Sequence, residues 1–301
     1  MPAPIDPAFS ASGRFFKGNI HTHSNRSDGA LSAEAVCAAY REQGYDFLAL
    51  TDHFLAKYEF PIVDTRPFRT NSFTTILGAE VHAPKTELGE RWHVLAVGLP
   101  TDFPATTDDE TGPALATRCI AAGAFVAIAH PTWYGLTLAD AASIANAHAV
   151  EISNHTSQVR TDRGDSTHFV DQLLSEGRRA SLIAVDDAHF HCDDAFGGFV
   201  MVKAEANEPE ALLAALKAGA FYSSQGPSIH AVGFENGHVE VECSAARSII
   251  ALGRASKATQ LVGRDLTEAR LDLSGFAAGG YVRLVVIDDR GRRAWTNPVW
   301  L

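Results

Sequence analysis

The chain has 301 residues, 46% of them hydrophobic, enough to bury a sizeable core in one large domain or two. Its 36 acidic and 25 basic residues leave a net charge of −11 with no Lys/Arg run, so the basic footprint of a duplex nucleic-acid binder is missing, although a small anion in a local positive site stays open. No apolar run reaches the ~18 residues of a membrane span. The N-terminal segment has no basic-then-apolar leader pattern, and the four cysteines are widely spaced without a CxxC, so reduced thiols in a cytoplasmic, non-membrane protein are expected.

The first candidate strand is "GNIHTH", residues 18–23, which runs into "SNRSDGALS". His21 and His23, at i and i+2, project to one side of an extended chain, and Asp28 follows in a Ser-Asp-Gly turn. Ser32 is placed to cap a helix over "AEAVCAAYREQ" and Gly44 to end it. The next candidate strands are "DFLALTDH", "TTILGAEVH", "HVLAVGL", "AFVAIAHP", "AVEISN" and "SLIAVDDAH". Each is apolar on both faces until its end, as buried parallel strands are. Helices are expected over "GPALATRCIAAG", "STHFVDQLLSEG" and "PEALLAALKAG", the last with Pro209 in its first turn. This β-then-α alternation implies an α/β protein with a parallel sheet or barrel. After about residue 230 the pattern changes. "AVGFENGHVEVEC" reads as a hairpin across Asn236-Gly237, and "YVRLVVIDDRGRRAW" as a strand entering a turn, so residues 231–301 are expected to be a small β appendage.

Nearly every candidate strand ends in chemistry. His21, His23 and Asp28 follow the first, and Asp52 and His53 end the second. Glu80 and His82 end the third, His93 begins the fourth, and His130 ends the fifth. Glu151, Asn154 and His155 lie on or after the sixth, and Asp187 and His189 end the seventh. Strand C-termini of a parallel barrel converge on one face, which holds the active site. Imidazoles and carboxylates converging there are what a metal centre needs.

The pieces "HTHSNRSDG", "LTDH", "GAEVH", "HVLAVG", "AHP" and "DDAH", in this order over about residues 18–230, resemble the PHP (polymerase and histidinol phosphatase) superfamily of metal-dependent hydrolases. "DDAHFHCDDAFGGFVMV" and "AGAFYSSQGPSI" resemble its CehA/McbA-like branch. The resemblance implies a distorted (β/α)7 barrel over residues 1–230, followed by the small β-rich domain 231–301. It also implies three divalent metal ions. His21, His23, Glu80 and Asp187 would hold the first. Glu80 would bridge to the second, with His93 and His130, and Asp28, His53 and His189 would hold the third. This donor set has no thiolate and suits Zn, Mn or Fe.

Such a cluster lowers the pKa of bound water and neutralises charge on the attacked group. Three divalent ions against the carboxylates of Asp28, Glu80 and Asp187 leave a positive site. One uncompensated charge pair at ~4 Å is worth about 4 kcal/mol at an effective dielectric near 20, which favours an anionic substrate. The expected function is therefore hydrolysis of small phosphate mono- or diesters by metal-activated hydroxide. Catalysis would depend on Asp187, His130, His53 and His189, the last two orienting the third ion or assisting leaving-group protonation. Arg26, between two ligands, is a candidate phosphate clamp, and His155 and Tyr134 are candidate substrate contacts. Lys57 and Tyr58 lie on a similar loop. Asp52 is weighed as an orienter of a ligand imidazole against a turn role, and Glu151 as a carboxylate supporting the ligands. His82 is placed on a loop beside Glu80. His148, His168, His191, His230 and His238 are assigned to surface or turn roles.

Two alternatives stay open. A carbamate or carboxylic ester hydrolase would need an apolar pocket, for which "EFPIVDTRPF", Trp92, Trp133 and Tyr134 are candidates. A non-catalytic metal-containing module would not need all nine ligands intact. The expected partner is a small phosphorylated substrate; oligomeric state is not legible in the sequence.

Overall fold

A computed structural model describes residues 4–301. Its first strands are β1 (Arg14–Asn19), β2 (Phe47–Leu50), β3 (His53–Phe54), β4 (Thr74–Ala83) and β5 (Trp92–Val97). They are followed by β6 (Phe125–Ile128), β7 (Ala149–Asn154), β8 (Ser181–Val185), β9 (Phe199–Ala204) and β10 (Phe221–Ser224). Around them lie helices α1 (Pro7–Ser10), α2 (Ala33–Glu42), α3 (Gly112–Ala121), α4 (Leu138–Ser143), α5 (His155–Thr161), α6 (Thr167–Ser175) and α7 (Pro209–Lys217). The C-terminal strands are β11 (Ile229–Glu235), β12 (His238–Leu252), β13 (Ala258–Asp272), β14 (Tyr281–Ile287), β15 (Arg293–Thr296) and β16 (Val299–Trp300).

The fold is mixed α/β around one large sheet, ordered β11-β12-β14-β15-β10-β9-β1-β2-β4-β5-β6-β7-β8. The apolar runs FLAL of β2 and FVAI of β6 are buried at every position, because alternate side chains enter two different cores. Phe47, Leu95, Phe125 and Ile183 pack together from one face. Val94, Val126, Val150 and Leu182 pack from the other, against Leu115 and Cys119 of α3 and Val170, Leu173 and Leu174 of α6. Burying a side chain of this size contributes about 1.5–3 kcal/mol.

The expected helices form, and Ser32 Oγ caps α2 by accepting from Ala35 N at 3.2 Å. One expectation is corrected. The strands from "GNIHTH" to "SLIAVDDAH" are not all parallel: β5 runs antiparallel to both β4 and β6. This reversal brings the start of β5, where His93 sits, to the rim where its neighbours end. The segments beyond β1 and β8 also meet there. Thr22 bridges Ala188, His23 N donates to Ala188 O at 2.9 Å, and Asp187 N donates to His21 O at 2.8 Å.

The hairpin across Asn236-Gly237 forms, with Glu235 opposite His238 and φ of +49° and +74° at the two turn residues, as a type I′ turn requires. The β-rich region after residue 230 continues the main sheet through the β10–β15 pair, and Val285 and Trp295 pack into the core that holds α3 and α6. Among the described residues, no helix is long and apolar enough to cross a membrane.

Candidate metal centre

Glu80 lies at the middle of the rim, fully buried. Its Oε1 is 2.6 Å from His93 Nδ1 and 3.0 Å from His130 Nε2. Its Oε2 is 2.5 Å from His53 Nδ1 and 3.7 Å from the Nε2 atoms of His21, His23 and His82. Asp187 Oδ1 lies 3.2 Å from His21 Nε2 and 2.9 Å from His23 Nε2. Asp28 faces His53 Nε2 at 3.4 Å and His189 Nε2 at 3.5 Å. All nine residues expected to hold metal therefore stand together, in overlapping groups. One is His21, Glu80 and His130; a second is His21, His23 and Asp187; a third is His23, Asp28, His53 and His189; a fourth is His53, Glu80 and His82, and His93 joins through Glu80 Oε1.

Several contacts fix which ring nitrogen faces the cluster. Glu151 Oε1 lies 2.6 Å from His21 Nδ1, so Nδ1 carries the proton and Nε2 turns inward with its lone pair. His189 Nδ1 donates to Asp187 O at 2.7 Å with the same consequence. Glu151 is fully buried and also accepts from His130 N at 2.8 Å and Asn154 Nδ2 at 2.9 Å. His130 and Asp187 have φ of +23° and +58°, conformations that cost a non-glycine residue roughly 1–3 kcal/mol. The hydrogen bonds to Glu151 and to His21 O hold them there.

The electrostatics follow the packing. Burial pushes the Glu80 carboxyl up, but His53, His93 and His82 outweigh it and hold it well below the usual range. Burial likewise raises Asp187, against His21, His23 and His130, which bring it down. Asp28 is also held low, by His53, His23 and His189 against burial. Burial, with His189 and His53 as neighbours, pushes His23 down to about 3. For His53, burial is outweighed by Glu80 and Asp28, and the ring rises to about 10. Ionised carboxylates, together with imidazoles whose protons a cation would displace, form a donor set for divalent cations. The buried His21 Nε2 and Glu80 Oε2 have no hydrogen-bond partner, which fits cation-binding atoms and not a closed polar network.

No family model and no curated protein matches this chain. Among solved structures, it is similar to a two-domain protein from Bacteroides vulgatus containing a predicted PHP-like metal-dependent phosphoesterase. That match has a TM-score of 0.54 at 15% identity and covers 98% of this chain and 99% of the other. The chain has the fold of that PHP-like protein. Weaker likenesses are to a Bifidobacterium adolescentis protein to which metal-dependent phosphoesterase activity is attributed (TM-score 0.41, 15% identity, 60% of this chain and 89% of the other) and to an amidohydrolase from Chromobacterium violaceum with bound sulfate and no metal (0.40, 14%, 59% and 89%).

In this PHP-like fold a cavity of about 320 Å³ opens on the cluster, with Asp28, His53, His93, His130, Asp187 and His189 in its wall. The remaining wall is Trp133, Thr156, Ser157, Arg160 and Thr161. Arg160 was not legible as a site residue, yet it lies on the helix that starts straight after β7, where Asn154 Oδ1 caps α5 by accepting from Ser157 N. Neither Arg26 nor His155 lines this cavity. The Arg26 side chain is exposed, and the His155 ring packs on Gly197 so closely that a Cβ there would lie 2.2 Å from it. Tyr134 stands behind the ligands, its ring 5.3 Å from that of His93 and 5.6 Å from that of His130.

Three further polar residues find their places around the site. Asp52 touches no imidazole; it accepts from Ser24 N and Oγ (2.8 and 2.7 Å) and Ser27 N and Oγ (3.1 and 2.6 Å), bracing the turn that presents Asp28. His82 is not on a loop but inside β4, buried, two residues from Glu80 on the same face. Asp186, unremarked beside Asp187, is buried and accepts from Tyr40 OH at 2.7 Å and from the backbone N atoms of Phe196, Gly197 and Gly198 at 2.8 Å.

Proposed function

We propose that the protein is a metal-dependent phosphoesterase acting on small phosphate mono- or diesters. Three divalent ions, of Zn, Mn or Fe, would be held by His21, His23, Asp28, His53, Glu80, His93, His130, Asp187 and His189. Bound there, they would acidify a water and offset charge on the attacked group. The observation that carries the phosphate reading is Arg160, an exposed residue of α5 that lines the cavity onto which the cluster faces and whose guanidinium can swing toward it. A guanidinium fork matches two phosphoryl oxygens at once. Glu151 adds a fourth carboxylate to Asp28, Glu80 and Asp187, so three divalent ions would keep a surplus of two positive charges, which an ester anion offsets and a neutral ester does not.

The chain's own residues divide the remaining work. Glu151 orients His21 and holds the His130 backbone. Thr156 Oγ1 donates to Asp187 O at 2.8 Å and fixes the strained ligand. Trp133, its ring 5.1 Å from that of His130, lines one side of the cavity. The distorted (β/α)7 barrel and the boundary near residue 230 belong to the same proposal. Its support is the hydrogen bonding that joins the segments beyond β1 and β8.

The carbamate or carboxylic ester alternative is less well served. Trp92 is buried with its Nε1 donating to Lys85 O, and the 59–68 loop does not reach the cavity, so Trp133 is its one large apolar wall residue. The test is hydrolysis of an aryl phosphate monoester and its diester by Mn-loaded protein, with Asp187→Ala and Arg160→Ala. We expect turnover that vanishes in Asp187→Ala and a raised KM in Arg160→Ala. Turnover of a neutral aryl ester but of neither phosphate would overturn the phosphate reading.

A further inference from the structure

His82 occupies a position to which the three expected metal groups assign nothing. Its Nδ1–H donates to Trp92 O at 3.0 Å, which leaves the lone pair on Nε2. That Nε2 lies 3.0 Å from His53 Nδ1, in hydrogen-bonding geometry. Glu80 Oε2 is nearer to the same His53 nitrogen, at 2.5 Å, yet it lies off the N–H direction and has no hydrogen-bond partner. His53 therefore aims its Nδ1–H at His82, with the Glu80 carboxylate oxygen close beside the same nitrogen. Its other nitrogen, Nε2, faces Asp28 and the group completed by His23 and His189.

We propose that His82 is a positioning residue for the third metal group. The chain runs from Trp92 O through the Nδ1–H and Nε2 of His82 to the Nδ1–H of His53, and it keeps His53 in the one tautomer that offers Nε2 to a cation. The acceptor is a neutral imidazole, where a carboxylate or carbonyl more often orients a ligand histidine. The inference rests on the metal-centre reading and adds a residue to it.

The experiment is titration of chelator-stripped protein with zinc, followed by calorimetry, for wild type, His82→Leu and His82→Gln. Gln places a carbonyl oxygen near the Nε2 position and can accept from His53; Leu cannot. His82→Leu should weaken one class of zinc equivalents by about 10–100-fold, and His82→Gln should recover most of the loss. In an Asp28→Asn background, where the third group is already damaged, His82→Leu should cost little more. Long-range proton–nitrogen spectra of zinc-loaded wild type should show both His53 and His82 protonated at Nδ1. His53 protonated at Nε2, or equal losses from His82→Leu in both backgrounds, would overturn the proposal. If wild type bound no zinc at all, the metal-centre reading itself would fall, an outcome distinct from wild type and both variants binding alike.

Discussion

At the rim, Glu80 is buried among six imidazoles within 3.7 Å, and two neighbouring residues, His130 and Asp187, adopt backbone conformations that side chains resist. At the far end of the same sheet, β12 follows ordinary patterning: Val239, Val241 and Cys243 face inward, and Glu240 and Glu242 face water. The second region is held mainly by burial and strand pairing, with only an exposed ion pair, Arg270 with Glu240, between its strands. In the first, burial opposes the very groups it contains, and only charge partners and a bound cation can make that arrangement favourable.

The contrast gives graded expectations. Stripping divalent ions should act on the rim first. An ion held at about a thousand times its Kd stabilises by about 4 kcal/mol, so chelation should lower the unfolding midpoint. Hydrogen exchange should show lost protection near Glu80, Glu151 and Asp187 while β12 and β13 keep theirs. Equal loss in both regions would remove the distinction. The C-terminal strands have a fully buried charged anchor of their own. Arg283 of β14 is fully buried and donates from Nε (2.9 Å) and Nη2 (2.7 Å) to Asp171 of α6. Asp171→Ala leaves that guanidinium unpaired and should cost about 3 kcal/mol in denaturant unfolding, with metal content unchanged.

Asp6 gives a pH signature away from the rim. It caps α1 through Ala8 N, and burial pushes its carboxyl from 3.8 to about 7. The folded value lies above the unfolded one, so this stabilisation is whole below about pH 4 and is lost as pH rises toward 7. The slope is at most about 1.4 kcal/mol per pH unit. Asp6→Asn should flatten that part of the stability curve. The smallest effect is expected at the β11–β12 turn, where Gly237→Ala, at φ +74° with open space around it, should cost about 1 kcal/mol and leave the rim untouched.

How far the sequence reached depended on the kind of signal. The nine candidate ligands were legible because most of them sit at or just beyond the ends of apolar runs. The Asn236-Gly237 turn was legible because both residues tolerate positive φ. His82 was misplaced although the rule applied to His21 and His23 also covers Glu80 and His82: residues at i and i+2 share a strand face. The reversal of β5 was hidden because a strand buried on both faces reads the same in either direction. Most of β13 was hidden for the opposite reason, since it pairs with β12 alone and its largely exposed residues show no apolar alternation. Arg160 had no local mark; it gains its place from the turn of chain that sets α5 on the rim.

The most direct measurement is the metal content of protein purified in chelator-free buffer, set against Glu80→Ala with folding checked in parallel. Close to three divalent ions per wild-type chain are expected, with a clear loss in the variant, which lacks the carboxylate proposed to bridge two of them. A folded wild-type chain that takes up no divalent ion, even when Zn, Mn and Fe are supplied, would contradict the metal-centre reading.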